Sequence, residues 1–167
     1  MKAAPPPPPS FRPGRHLERL DNPLHDPYQA HAKLPDPSVC GNCHAVYHVG
    51  RWQWGPVPTD AAGTTCPACA RIAQQQPAGY VSIVATLTHQ QRAEIARMVR
   101  NLEEREKAEH PLQRIMEISG NSGGMLITTT DPHLARGIGE ALEHAWHGHA
   151  EYQFSEDEHL LRVRWQR

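Results

Sequence analysis

The sequence predicts an α+β protein in which a small cysteine-containing module precedes a larger sheet domain. The four cysteines of the chain form two C-x2-C pairs with 22 residues between them. From residue 79 onward, β-branched segments alternate with segments whose apolar residues recur at helical spacing. The 167 residues suffice for one domain with a small added module. These observations divide the chain into three regions, which are 1–39, 40–76 and 79–167.

The first region, 1–39, is predicted to be a disordered tail. It contains ten of the sixteen prolines, and the run Pro5–Pro9 favours an extended polyproline II conformation. Within it, residues 25–39 mix aliphatic and charged residues with one aromatic residue, Tyr28. This stretch is therefore either solvated or a strap that folds onto the domain or onto a partner, with Tyr28 as a candidate contact.

The sheet domain is predicted to have the element order β-α-β-β-α-β-β. Its strand segments are β-branched or alternating, and they are 79–86, 112–119, 125–130, 150–154 and 159–165. Thr88 is a good N-cap for a first helix that runs to about residue 110. Asp131 and Pro132 predict the start of a second helix, for which Gly148 is the expected stop. Two helices on one face of an antiparallel sheet indicate a ferredoxin-like fold with an added hairpin strand.

The two cysteine pairs predict a metal site with Cys40, Cys43, Cys66 and Cys69 as ligands. Each pair suits a tight knuckle, and the segments AVYHV and RWQW between the pairs supply strand-like arms of a hairpin. Four thiolates complete a tetrahedron around Zn²⁺ and leave no open position, so one structural Zn²⁺ in a zinc ribbon is expected. A redox dithiol explains two such pairs less well. The nearby histidines, His44 and His48, either replace one of the thiolates or lie beside the ligands or at the surface, and the second interpretation is preferred.

Aromatic and cationic side chains mark a candidate partner surface. Trp52 and Trp54 in the module either pack it onto the adjacent domain or stack on nucleic acid bases. Alternation along the last strand places Arg162 and Arg164 opposite its apolar residues, and Arg114 is assigned to the same open sheet face. Arginine on an open face suits phosphate binding, whereas salt bridging to nearby glutamates is the alternative.

Several stretches resemble known families. The stretches VCGNCHAVYHVGRWQW, CPACARI, EEREKAEHPLQRI, ITTTDPHLARGIGEAL and LLRVRW resemble a family of short, uncharacterised bacterial zinc-ribbon proteins over most of residues 25–167. More distantly, 40–71 and 123–167 are similar to the large-ribosomal-subunit nuclear export adaptors, in particular the archaeal type. The second resemblance implies ribosome contact. The chain has fewer cysteines than those adaptors and lacks their export-signal regions.

Net charge, hydropathy and the lack of known enzyme motifs limit the classes of function that the sequence supports. Net charge is −1, and the longest apolar runs are shorter than a membrane span needs. The proline-rich start has no apolar signal-peptide core, so a cytoplasmic location without membrane partners is expected. No nucleotide-binding, hydrolase or metalloprotease motif occurs.

We therefore predict a non-enzymatic zinc-binding protein that docks on RNA or a ribonucleoprotein such as the ribosome. The alternative is a protein–protein adaptor or regulator with a purely structural zinc ribbon, which uses residues 25–39 to bind its partner.

Overall fold

The computed structural model describes Tyr28 and residues 34–121, 123–155 and 158–167. The predicted disorder of the tail therefore concerns residues that lie mostly outside the described part of the chain. The described residues form an α+β fold with three helices and two mixed sheets. None of the helices formed by these residues is both long and apolar enough to cross a membrane.

The first sheet belongs to the cysteine-containing module and has four short strands. They are β1 (Ser38–Cys40), β2 (Val46–His48), β3 (Arg51–Gln53) and β4 (Ala62–Thr64). Their order in the sheet is β3-β2-β1-β4, and β1 pairs antiparallel with β2 but parallel with β4. The hairpin of β2 and β3 corresponds to the two arms expected from the sequence. Because β1 begins at Ser38, the module extends two residues into the segment assigned to the tail.

A helix that the sequence analysis did not predict follows the first sheet. This helix, α1 (Pro67–Gln74), begins with a proline, and Cys66 is its N-cap. The Cys69 backbone N–H donates to Cys66 Sγ at 3.4 Å, so a thiol takes the place of the usual Ser or Asp cap. The second cysteine pair therefore lies at a helix start, and the zinc ribbon expected from the sequence is not confirmed. Proline directly after a potential cap was the available signal.

The second sheet has five strands. They are β5 (Gly79–Val84), β6 (Ile115–Asn121), β7 (Gly124–Thr129), β8 (His149–Ser155) and β9 (Leu160–Gln166). Their order in the sheet is β6-β7-β5-β9-β8, with β5 and β9 parallel. The added strand β9 lies between β5 and β8, so the predicted ferredoxin-like antiparallel order is not reproduced. The central position buries the apolar residues of β9, whereas edge strand β8 carries Glu151 and Gln153.

Two helices lie on one face of this sheet, as the sequence predicts. The first, α2 (His89–Glu109), begins with a capping box: the Gln91 backbone N–H donates to Thr88 Oγ1, and the Thr88 backbone N–H donates to Gln91 Oε1. The second, α3 (Pro132–Trp146), is capped by Asp131, which accepts the His133 backbone N–H at 2.7 Å. The C-cap of α3 is His147, in the left-handed conformation with φ of 52°, one residue before the expected glycine stop.

The hydrophobic core lies between these helices and the five-stranded sheet. Leu161, Val163 and Trp165 of β9 are each 1% exposed or less, but the alternating positions Leu160 and Arg162 are also buried, each 8% exposed. The helices contribute the fully buried residues Ile95, Val99, Leu134, Ile138 and Leu142. Burial of this apolar area is the main favourable free-energy term for the sheet domain.

Two glycines of α3 allow a matched stability test. A Cβ on Gly139 would lie 2.7 Å from Val163 Cγ1 and 2.9 Å from Tyr152 Oη, whereas one on Gly137 would meet only Leu102 Cδ2 at 3.7 Å. We expect Gly139→Ala to destabilise the fold by about 1–3 kcal/mol through overpacking. Gly137→Ala should stabilise it by up to about 1 kcal/mol through helix propensity. Urea unfolding monitored by circular dichroism measures both changes. Equal effects of the two substitutions would contradict the close packing of α3 on β9.

Candidate metal centre

The four cysteines are brought together by two local structures. Cys40 ends β1, and a tight turn follows in which the His44 N–H donates to the Cys40 carbonyl at 2.9 Å. Cys43 lies within that turn. Cys66 caps α1 and Cys69 lies in its first turn, so the helix start aims both side chains at the same point. Cys40 and Cys66 are fully buried, Cys69 is 8% exposed, and Cys43 is half-buried.

The sulfur atoms of these cysteines have the spacing of a tetrahedral metal site. All four Sγ atoms lie within 4.8 Å of one another, and Cys43 Sγ and Cys66 Sγ are 3.7 Å apart. Four thiolates at the usual Zn–S distance lie about 3.8 Å from one another. All four cysteines are free thiols. The alternative ligand His48 instead places its Nδ1 2.8 Å from Asp36 Oδ1.

Backbone N–H groups point at the sulfur atoms. The Cys66 N–H donates to Cys40 Sγ at 3.3 Å, and the cap contact within α1 supplies a second N–H···S bond, to Cys66 Sγ. Such bonds favour the charged thiolate over the neutral thiol. The backbone is thereby arranged to accept negative charge on the sulfur atoms, as metal ligation requires.

Arg114 joins the metal centre from the sheet domain. Its Nη1 donates to Cys69 Sγ at 3.3 Å, its Nη2 lies 4.0 Å from Cys66 Sγ, and the residue is 8% exposed. The prediction that Arg114 lies exposed on an open sheet face is wrong. The residue precedes β6, and the pairing of β6 with β7 shifts register between Ile115 and Glu117, so simple alternation from residue 112 does not apply.

The thiols differ in proton affinity. Burial alone would raise the pKa of the Cys40 thiol, but the backbone N–H groups of Cys66, Cys43 and Asn42 outweigh burial and lower it to about 6. Burial raises the pKa of Cys66 and of Cys69, and for Cys69 the hydrogen bond from Arg114 partly offsets this. At neutral pH, the metal-free site therefore holds protons on Cys66 and Cys69, whereas Cys40 is largely ionised.

We expect zinc binding to release at least two protons at pH 7. Cys66 and Cys69 have raised pKa values and must lose their protons to become ligands. Since protons compete with the metal for these sulfur atoms, the apparent affinity should fall as the pH falls below 7. Calorimetric titration in buffers of different ionisation enthalpy measures the number of protons released. An affinity that does not change between pH 6 and pH 7.5 would contradict this assignment.

The two tryptophans hold the module together and attach it to the sheet domain. Trp52 packs against the cysteine cluster, and its ring centroid is 5.6 Å from that of Tyr47. Trp54 is 39% exposed, and its Nε1–H donates to the Lys107 carbonyl near the end of α2 at 2.7 Å. Leu112 of the sheet domain also packs against the cysteines. These contacts agree with the alternative in which the tryptophans pack the module onto the adjacent domain.

The remaining candidate arginines differ from each other. Arg162 is 8% exposed, and its Nη2 donates to Glu158 Oε2 at 2.9 Å, as the salt-bridging alternative describes. Its predicted exposure is wrong, because Arg162 lies between Tyr80 and Gln153 of the two neighbouring strands. Arg164 is half-buried and lies opposite Ser82 and Glu151 in the sheet. Contact of Arg164 with a partner stays a prediction.

Tyr28, the candidate contact of the strap, lies on α1 of the same chain. Its ring covers the Arg71 guanidinium, with 4.2 Å between the guanidinium carbon and the ring centroid. Its hydroxyl donates to Gln74 Oε1 at 2.7 Å. Both contacts are within the protein, so a partner is not needed to position this side chain.

Comparison with known proteins leaves the resemblances to zinc-ribbon proteins and to export adaptors as predictions. No protein-family model matches the chain, and neither a curated protein nor a solved structure matches it.

Proposed function

We propose that this chain is a non-enzymatic binding protein whose N-terminal module is held by one structural Zn²⁺ on Cys40, Cys43, Cys66 and Cys69. The observation that carries the proposal is the convergence of all four Sγ atoms within 4.8 Å of one another. A tetrahedral set of four thiolates suits Zn²⁺ or iron, and a complete set leaves no position for a substrate or a reactive water. Because Zn²⁺ has no redox chemistry, a zinc ion in this closed set is structural.

Metal analysis of purified, reduced protein tests the identity of the ion. We expect one zinc per chain and no visible absorption, whereas iron bound to thiolates would colour the protein. Cys43→Ser should lower the zinc content well below one per chain. His44→Asn is the matched control, because His44 has a positive φ of 63° that Asn tolerates, and it should keep full zinc content. Protein that binds no metal would overturn the proposal.

The proposed partner is a protein, and the docking segment is 49–57 of the module. Three of the five exposed large apolar side chains among the described residues lie in this segment, and they are Val49, Trp54 and Val57. Exposed apolar and aromatic side chains with little charge are typical of the centre of a protein interface. Two of the arginines considered for RNA are buried and have partners within the chain, which weakens the case for phosphate binding.

Docking on RNA or a ribonucleoprotein is the second candidate, and half-buried Arg164 is its supporting observation. The two candidates differ in which substitution abolishes association. Two variants are compared in cells: the double variant Val49→Asp with Val57→Asp, and the single variant Arg164→Glu. The cells are crosslinked, and the complexes that contain this protein are recovered with and without nuclease treatment. We expect association that resists nuclease, is lost in the valine variant and is kept in the arginine variant. If association is lost after nuclease treatment and also in the Arg164→Glu variant, the result would instead support RNA docking.

A further inference from the structure

We infer that Arg114 is an outer-sphere partner of the metal centre that couples zinc binding to the attachment of the module on the sheet domain. This inference rests on the proposed zinc site. All four proposed ligands come from the module, before residue 70, whereas Arg114 directly precedes β6 of the sheet domain. Its guanidinium reaches the Cys69 and Cys66 sulfur atoms at 3.3 and 4.0 Å.

A zinc ion with four thiolate ligands carries excess negative charge, which a nearby positive group would stabilise. Four thiolates carry two more negative charges than one Zn²⁺ neutralises, and three of the four cysteines are buried. An excess buried charge is costly unless it is paired and hydrogen-bonded. The guanidinium supplies one positive charge and directed N–H groups, and arginine retains its proton under all ordinary conditions.

The sheet domain holds Arg114 in place from several sides. The Arg114 Nε–H donates to the Pro111 carbonyl at 2.8 Å, and its backbone N–H donates to Thr130 Oγ1 at 3.0 Å. The Thr130 N–H donates in turn to the Arg114 carbonyl at 2.9 Å, and Thr130 Oγ1–H donates to the Leu112 carbonyl at 2.6 Å. Because these groups belong to the sheet domain, the guanidinium is positioned by that domain and not by the ligands.

Loss of the metal should therefore destabilise the end of the sheet where Arg114 precedes β6. When the ion leaves, nothing holds the four sulfur atoms together, and the Cys69 and Cys66 side chains that face the buried guanidinium are no longer fixed. The hydrogen bonds between 111–114 and Thr130 should then open more often. The same coupling means that removing the guanidinium should weaken zinc binding, although every sulfur ligand remains.

The test is zinc affinity, measured by competition with a chelator of known affinity, for Arg114→Met, Arg114→Lys and the wild-type chain. Loss of an outer-sphere partner typically weakens metal binding by about 10–100-fold, which we expect for Arg114→Met. Arg114→Lys keeps the charge but not the fork of donors, so its loss should be smaller. Arg162→Met is the matched control, because Arg162 is also 8% exposed but bonds Glu158. It should leave zinc affinity unchanged.

Cobalt substitution separates an electronic role from a purely structural one. Hydrogen bonds and positive charge stabilise thiolate lone pairs, so their removal should shift the sulfur-to-cobalt charge-transfer band of Arg114→Met to lower energy. The band of Arg162→Met should not move. Amide exchange at 112–115 and 130 should rise on zinc removal in the wild-type chain and change less in Arg114→Lys.

Two outcomes distinguish the inference from the proposed function. Wild-type protein without stoichiometric zinc would overturn the zinc site itself. Zinc-containing wild-type protein, together with Arg114 variants of unchanged affinity and unchanged cobalt band, would overturn the role of Arg114 alone. If Arg114→Met does not fold, Arg114→Lys yields the same two readouts.

Discussion

Removal of the metal is expected to unfold the module, residues 38–74, while β5 and β7–β9 of the sheet domain stay folded. The buried cluster of the module consists of Cys40, Cys66, Cys69 and one alanine, and its strands are three residues long. So small a core cannot offset the conformational entropy of ordering the segment. Structural zinc in small domains supplies about 10–16 kcal/mol of binding free energy. This is as large as the whole stability of a typical domain.

Hydrogen exchange read by mass spectrometry resolves the two regions. Amides of β1–β4 and α1 should lose protection when a strong chelator strips the metal, and should regain it when zinc is restored. Cys69→Ser should show the unprotected pattern even with zinc present, and His44→Asn should not. A metal-free module that keeps its protection would show that its fold does not depend on the ion.

Trp165→Ala is expected to have the largest effect of any single substitution in the sheet domain, a loss of about 3–5 kcal/mol. Trp165 is the largest fully buried side chain, and it lies between Ile83 and Ala150 across the sheet. A Cβ on Gly148 would collide with the indole, so the surroundings of the ring are closely packed. Removing the ring leaves a cavity that these neighbours cannot fill.

Urea unfolding of the zinc-loaded protein measures this loss. Gln166→Ala is the matched control, because Gln166 is the next residue of β9 and its side chain is exposed. Its effect should stay within about 0.5 kcal/mol. Zinc content should be the same in both variants, since neither residue contacts the thiols. Equal stability of the two variants would contradict the central position of β9.

Local signals identified most elements in advance. The Thr88 and Asp131 caps and the apolar spacing of α2 depend on residues close in sequence, and each has its expected structural counterpart. Helix α1 was missed because it has eight residues and its cap is a cysteine, which cap statistics do not favour. The insertion of β9 beside β5 was also missed, because strand order depends on which strand gains most by central burial.

The sequence alone identified the four cysteines that cluster as a candidate metal site, since each C-x2-C pair is a local arrangement and two pairs can complete a tetrahedron. Only the tertiary structure decided what the arginines do. Arg114 and Cys69 are 45 residues apart in sequence, and hydrogen bonds to Pro111 and Thr130 position Arg114 beside the thiols. Arg162 is similar in that its burial depends on neighbouring strands and not on its own alternation. The spacing of the cysteines within each pair is visible in the sequence. The pairing of the buried Arg114 with the cysteines is not, because those contacts form only when the module and the sheet domain pack together.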